Sequence, residues 1–197
     1  MKKVIFVLLA LLLITACENN PTISDEQTTS WIFIANEGNY GSSNGSISMI
    51  DDFGNVYEVE NVGDVVQSLE VYENKLIVLV NNSHKIKIYD ITVDGLSLPG
   101  IEIDTDNSSP REMVVVDDKI YFTNWNSQDV KIFNLFNYTI ESSISVGSMP
   151  EGIITDGTTL WVANSGEGTV SEINITSLSE TRHNVGDGPQ NLVLHEG

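Results

Sequence analysis

The sequence predicts an all-β fold, a β-propeller of four-stranded antiparallel blades with about four blades in the chain, on three observations. Short apolar strands ending in Asn recur at Asn36, Asn81, Asn124 and Asn164, spaced 45, 43 and 40 residues apart. Prolines open a second kind of apolar strand at Pro110, Pro150 and Pro189, spaced 40 and 39 residues apart. No stretch of the mature chain has the 3.6-residue apolar period of a three-turn helix. β-Branched and aromatic residues fill the strands instead, and Asn, Asp, Gly and Ser fill the turns. Four short strands in a unit of roughly forty residues is the repeat of a propeller blade. A β-sandwich is built from similar strands but gives no reason for Asn and Pro landmarks at this interval.

The N-terminus sets the compartment. Lys2 and Lys3 precede an apolar run over residues 4–14, long enough for the core of a signal peptide and too short to span a bilayer. The run ends in Ile14-Thr15-Ala16-Cys17, small residues before the chain's one cysteine. This resembles the bacterial lipoprotein box, which implies that residues 1–17 are a lipoprotein signal and that Cys17 is lipidated. A lone cysteine offers neither a disulfide framework nor a paired-cysteine metal site. Residues 18–30 are polar and without apolar periodicity, as expected of a flexible tether. The expected location is the cell envelope, lipid-anchored in the outer membrane or at the cell surface, with the membrane as the first partner.

Charge removes another class of partner. The chain has 28 acidic and 9 basic residues, a net charge of −19, and loss of Lys2 and Lys3 makes the mature form more acidic still. Such a polyanion has no basic patch to neutralise phosphates, so nucleic acid is not expected as a partner.

Residues 31–197 form the repeat domain, in units whose strands we label a to d. The b strands are Trp31 to Asn36, Leu76 to Asn81, Ile120 to Asn124 and Leu160 to Asn164. Each is followed by a polar turn and an alternating c strand, as in Lys85-Ile86-Lys87-Ile88-Tyr89-Asp90, with one face buried and the other wetter. A d strand such as Ile140 to Val146 comes next. The a strands then begin at Pro110, Pro150 and Pro189, and Val66 to Val71 fills that place without a proline.

The segments beginning Pro110-Arg111-Glu112 and Pro150-Glu151-Gly152, each leading to a strand that ends in Thr123-Asn124 or Ala163-Asn164, resemble the Tyr-Val-Thr-Asn propeller repeats of YncE-like proteins. The likeness covers roughly residues 31–195. Asn124 and Asn164 match the signature Asn and Gly152 matches the glycine after Pro-x, whereas Glu112 and Asn191 replace that glycine in neighbouring units. Surface lipoproteins of this broad type in Bacteroidetes-like bacteria include propellers that capture cobalamin beside outer-membrane transporters. The resemblance therefore implies a cobalamin or transporter connection. Most members have about seven blades, which makes this chain a shortened relative. A closed four-bladed ring and an open or oligomerising array are the alternatives. In the closed ring, the strand after Pro189 pairs with the first three strands to complete a mixed blade and remove its unpaired edge.

In a propeller the d-to-a and b-to-c turns share one face. This gathers Asn36, Gln67, Asn81, Arg111, Asn124, Trp125, Glu151, Asn164, Gln190 and Asn191 near one rim. Asn and Gln supply paired donors and acceptors, Trp125 a stacking surface, and Arg111 beside Glu112 a clamp for carboxylate or phosphate. The competing expectation is that the four repeated Asn residues bond local backbone as turn formers. Catalysis has little support. His84, His183 and His195 lack metal spacing, there is no Gly-x-Ser-x-Gly elbow, and the acidic pairs near Asp51 and Asp104 complete no cation loop. No cofactor or metal is expected. The reading is a non-catalytic envelope module that binds a small molecule, glycan or membrane-protein partner, with a propeller enzyme such as a lactonase or lyase as the alternative. Replacing Cys17 by Ser is expected to abolish palmitate labelling in a bacterial host and move the protein out of the membrane fraction. Unchanged labelling and fractionation would refute the anchor.

Overall fold

The computed structural model describes residues 29–195. The signal segment, Cys17 and most of the tether lie outside the described residues. Sixteen strands form four antiparallel sheets. The first holds β1 (Ile32–Asn36), β2 (Gly45–Ile50) and β3 (Val56–Gly63). The second holds β4 (Val66–Tyr72), β5 (Lys75–Val80), β6 (Lys85–Thr92), a two-residue β7 (Gly95–Leu96) and β8 (Ile101–Asp104). Here β8 is the d strand, paired with β6 beside the short β6–β7 hairpin. The third holds β9 (Pro110–Val116), β10 (Lys119–Asn124), β11 (Asp129–Asn134) and β12 (Thr139–Ser145). The fourth holds β13 (Pro150–Thr155), β14 (Thr159–Asn164), β15 (Thr169–Asn174) and β16 (Glu180–Asn184). Strands a to d thus follow sequence order across each complete sheet.

Alternation explains the stacking. In β5, Leu76, Val78 and Val80 join Ile47, Met49 and Val62 of the first sheet in one core. On the other face, Ile77 and Leu79 join Met113, Ile120, Phe122 and Phe133 of the third sheet. The same logic places Tyr121 and Val130 against Ile153, Leu160 and Val162 of the fourth sheet. Three apolar cores therefore lie between four sheets, and the b strand of each inner sheet is buried on both faces. The inner strands β4, β9 and β13 lie side by side, as blades around an axis require.

A backbone device repeats at each junction. The residue just before each inner strand has a left-handed conformation: Val65 (φ 63°), Ser109 (φ 56°), Met149 (φ 49°) and Gly188 (φ 67°). The first three are costly positions for an L residue, most of all for β-branched Val65. The conformation turns the carbonyl toward the next b-to-c turn. Val65 O accepts from Asn81 N at 2.8 Å, Ser109 O from Trp125 N at 3.0 Å and Met149 O from Ser165 N at 3.0 Å.

The ends depart from the closed-ring expectation. Residues 189–195 form no strand, and the tail does not complete the first sheet. Among the described residues, no strand of the first sheet packs closely on a strand of the fourth. The tail lies beside β13, where Gly152 N donates to Gln190 O at 3.0 Å, in the position of the next inner strand.

Met149 is 48% exposed, so glycine there loses little burial while relieving the left-handed strain. Met149→Gly is expected to raise stability by about 0.5–1 kcal/mol. Urea unfolding measures it, and a destabilised variant would contradict the strain.

Candidate functional site

The inner strands do not meet their b strands in an even ladder. Each carries a bulge just after its first residue, at Val66/Ser68 in β4, between Pro110 and Met113 in β9, and between Pro150 and Ile153 in β13. Bulges re-aim side chains. The residues they displace are Gln67, Arg111 with Glu112, and Glu151 with Gly152, and these form the candidate site.

Arg111 is its hub. Its Nε donates to Glu151 Oε2 at 2.9 Å, its Nη2 to Glu151 Oε1 at 3.2 Å and its Nη1 to Gln67 Oε1 at 2.7 Å. The guanidinium also lies over the Trp125 ring, 4.2 Å from the centroid. Three successive sheets are thereby joined through one planar cation. The arrangement uses the geometry that distinguishes Arg from Lys, a bidentate fork on a carboxylate with a flat face on an indole. The Arg111 and Glu151 side chains are only 19% and 13% exposed. The carboxylate that Arg111 clamps is thus the chain's own, and the expected clamp for an external anion is already filled.

Glu112 points a second carboxylate into this neighbourhood. Burial pushes its carboxyl above the ordinary range, and the Glu151 charge adds to that; hydrogen bonds from Ser68 and Gln67 and the Arg111 charge pull the other way. Beneath it, the Thr123 hydroxyl donates to Glu151 O at 2.7 Å and accepts from Glu112 N at 3.1 Å, coupling adjacent inner strands. In the next unit Ala163 stands in place of Thr123 and Gly152 in place of Glu112, and Gly152 N bonds Gln190 O directly. A side-chain carbon on Gly152 would sit 2.4 Å from that oxygen, so only glycine permits the approach.

Arg111, Glu112, Glu151, Gly152, Gln190 and Asn191 line an open cleft of about 200 Å³ with largely polar walls. Gln190 and Asn191 reach it from the exposed tail. A larger groove of about 470 Å³ lies at the other end of the sheets, formed by Asp117, Asp118, Phe136 and neighbours, and includes none of the residues singled out by the sequence.

The repeated Asn residues are placed elsewhere. Asn36 Nδ2 donates to the Ser46 and Ser48 hydroxyls, and Asn164 Nδ2 to those of Thr169 and Ser171. Asn124 donates to Phe122 O and accepts from Ser108 Oγ, and Asn81 donates to Pro110 O. Asn81, Asn124 and Asn164 are buried. All four bond strand and turn groups of their own chain and none lines the cleft. Trp125 serves as the platform under Arg111, and its indole Nε1 is buried without a protein partner.

Thr123, Ser68 and Gly152 were not among the expected site residues. Their signal was positional: Thr123 immediately precedes a repeated Asn, and Ser68 and Gly152 follow the inner-strand starts by two residues. Asp64 was missed as well. It is a buried carboxylate that accepts from Gly41 N and from Asn82 Nδ2 and so ties the first two sheets together.

No protein-family model matches the chain, and no curated protein matches it. Solved structures do. The chain is similar to a streptogramin B lyase with TM-score 0.61 and 18% identity, covering 80% of this chain and 59% of the lyase. It is similar to a functionally unknown protein from Desulfotomaculum acetoxidans DSM 771 with TM-score 0.62 and 16% identity, covering 81% of this chain and 54% of that one. A dihydro-heme d1 dehydrogenase, NirN, solved in complex with DHE, gives TM-score 0.60 and 15% identity, covering 81% of this chain and 36% of the enzyme. The fold shared with these neighbours is the β-propeller. The chain spans between about a third and three fifths of their lengths.

The raised Glu112 pKa has a definite sign. The folded state holds this proton more tightly than the unfolded state, so stability is highest below the ordinary Glu range and falls as pH rises through and beyond it. Glu112→Gln is expected to raise the Tm at about pH 7.5 and leave it unchanged at about pH 4. Equal shifts at both pH values would show that the carboxyl is not strained by burial.

Proposed function

We propose that this chain is a lipid-anchored, YncE-like propeller module of the cell envelope that binds a neutral, hydrogen-bonding ligand at its inner-strand rim without turning it over. The observation that carries the reading is the internal pairing of Arg111. With its charge matched by Glu151 and flanked by Glu112, the cleft has no free cation for an anionic ligand. What remains open to a visitor is amide and carboxyl hydrogen bonding from Gln190, Asn191 and Glu112.

Size narrows the class. About 200 Å³ is below the range of a pocket that encloses a drug-sized molecule. The cleft suits one sugar ring, or one amide-bearing arm of a larger ligand that rests across the rim. A glycan fits the first description and cobalamin, the ligand implied by resemblance, fits the second. Delivery to an outer-membrane transporter follows from the lipid anchor and the same resemblance.

Calorimetric titration of the full chain with cyanocobalamin, and separately with neutral oligosaccharides, tests the reading. Micromolar binding of one of them is expected, weakened at least tenfold by Asn191→Trp, which fills the cleft from an exposed position. No heat from any of these ligands, or binding indifferent to Asn191→Trp, would end the proposal.

A further inference from the structure

The groove of about 470 Å³ at the end of the sheets opposite the cleft has a neighbour. A second hollow of about 200 Å³, lined by Tyr72, Glu73, Lys75 and Leu135, adjoins it, and the two share Asp118 and Phe136. All their walls come from the second, third and fourth blades, so the pair crosses two blade junctions. Phe136, common to both, is 90% exposed.

The fold does not ask for this phenyl ring. Phe136 sits in a c-to-d turn tied by Asn134, whose Oδ1 accepts from Phe136 N at 2.8 Å and from Asn137 N at 3.1 Å. One unit later Asn174 Oδ1 accepts from Thr176 N at 3.1 Å and from Ser177 N at 2.8 Å. The same turn is therefore built with threonine in the place of the phenylalanine. The residue just before it packs on a core in both units, as Leu135 and as Ile175. The ring of Phe136 is thus left to an outside molecule.

Charge selects that molecule. The two lysines of the groove are already matched, Lys75 Nζ lying 2.6 Å from Asp90 Oδ1 and Lys119 Nζ 2.7 Å from Glu141 Oε2. Glu73, Asp117 and Asp118 are exposed and form no ion pair among the described residues. Asp118 Oδ1 accepts from the Tyr72 hydroxyl at 2.6 Å. That hydrogen bond pushes the phenol up to about 12, so the tyrosine stays a neutral donor that fixes the carboxylate without cancelling its charge. A flat aromatic face beside unmatched carboxylates suits a guanidinium, which stacks on the ring while its edge forks onto a carboxylate. The chain uses this chemistry within itself where Arg111 lies over Trp125 and bonds Glu151. An ammonium has no flat face to stack, and a neutral sugar would leave the carboxylates unmatched. Hollows on both sides of the ring suit an extended backbone rather than one small cation.

We propose that this groove docks an extended, arginine-bearing segment of a partner protein, with one guanidinium stacked on Phe136 and held by Asp117 or Asp118. The site is remote from the rim cleft and rests on no ligand there.

Fluorescence anisotropy of a labelled tri-arginine peptide against the purified full chain tests the docking. Saturable binding is expected, weakened about three- to fivefold by Phe136→Thr through loss of an exposed cation–π contact. Phe136→Leu, which keeps apolar bulk without the ring, should weaken it as much. Asp117→Asn should weaken it at least equally, since asparagine tolerates the left-handed backbone there (φ 52°). Glu37→Gln, which removes an exposed charge from a b-to-c turn at the opposite end, should leave it unchanged. Unchanged thermal unfolding of each variant shows that the fold is intact. Absence of saturable binding, or full binding by Phe136→Leu, would overturn the proposal. So would equal losses from Asp117→Asn and Glu37→Gln, which mark diffuse attraction to a polyanion. Equal affinity for tri-lysine, or displacement of the peptide by maltotriose, would overturn it as well.

Discussion

A sheet with apolar side chains on both faces is stable only when something covers each face. That constraint organises this molecule. Val78 and Ile77 are adjacent in one strand and serve different cores, one shared with the preceding sheet and one with the next. Neither core belongs to a single blade, so no blade has an interior of its own, and stability is a property of junctions. The interior sheets satisfy the condition on both faces, whereas Ile32 in the first sheet is exposed.

The polar rim is the other side of the same arrangement. Where each apolar stack stops, the inner strand bulges and the backbone before it takes a left-handed turn, and the hydrogen bonds released from the ladder are remade between blades. Thr123, Asn81 and Asp64 do this with side chains, while the carbonyls of Val65, Ser109 and Met149 bond the b-to-c turn of their own blade. Arg111 belongs to this class of inter-blade bond as much as to the cleft, since it joins Gln67 to Glu151 across its own strand. Structural stitching and the walls of the cleft are therefore carried by the same few residues.

Most of the architecture could be read from the chain because it is written in local periodicity. The continuous apolar run of β5, the two-residue alternation of β6 and β11, and the Asn and Pro intervals located nearly every strand. The d strand of the second blade was harder: residues 91–104 contain two short β-forming stretches around Leu98-Pro99, and only pairing shows that β8 rather than β7 completes the sheet. The tail reveals the limit most clearly. Leu192-Val193-Leu194 has strand composition, yet a strand needs an edge to pair with, and that depends on where distant segments lie. For the rim, the sequence assembled the right neighbourhood around Arg111, Trp125 and Glu151. It did not reveal that these groups would satisfy one another, because mutual pairing is decided by the bulges and not by residue type. The repeated Asn residues resolve into internal bonds, but only Asn124 makes the local backbone bond that turn chemistry offers; Asn36 and Asn164 bond c-strand hydroxyls and Asn81 bonds the next blade.

The junctions are not copies of one another. Between the third and fourth blades a Thr123 hydroxyl mediates the contact of Glu112 with Glu151; one unit later Ala163 and Gly152 replace the pair and the backbones touch directly. Near-identical neighbours in a tandem array are prone to assemble out of order while the chain is collapsing, since any unit can mistake another for its proper companion. Private chemistry at each boundary gives every unit an address. A wrongly ordered stack would bury Glu112 without its hydroxyl or press a side chain onto the carbonyl that Gly152 accommodates, and such errors would dissolve before they became permanent.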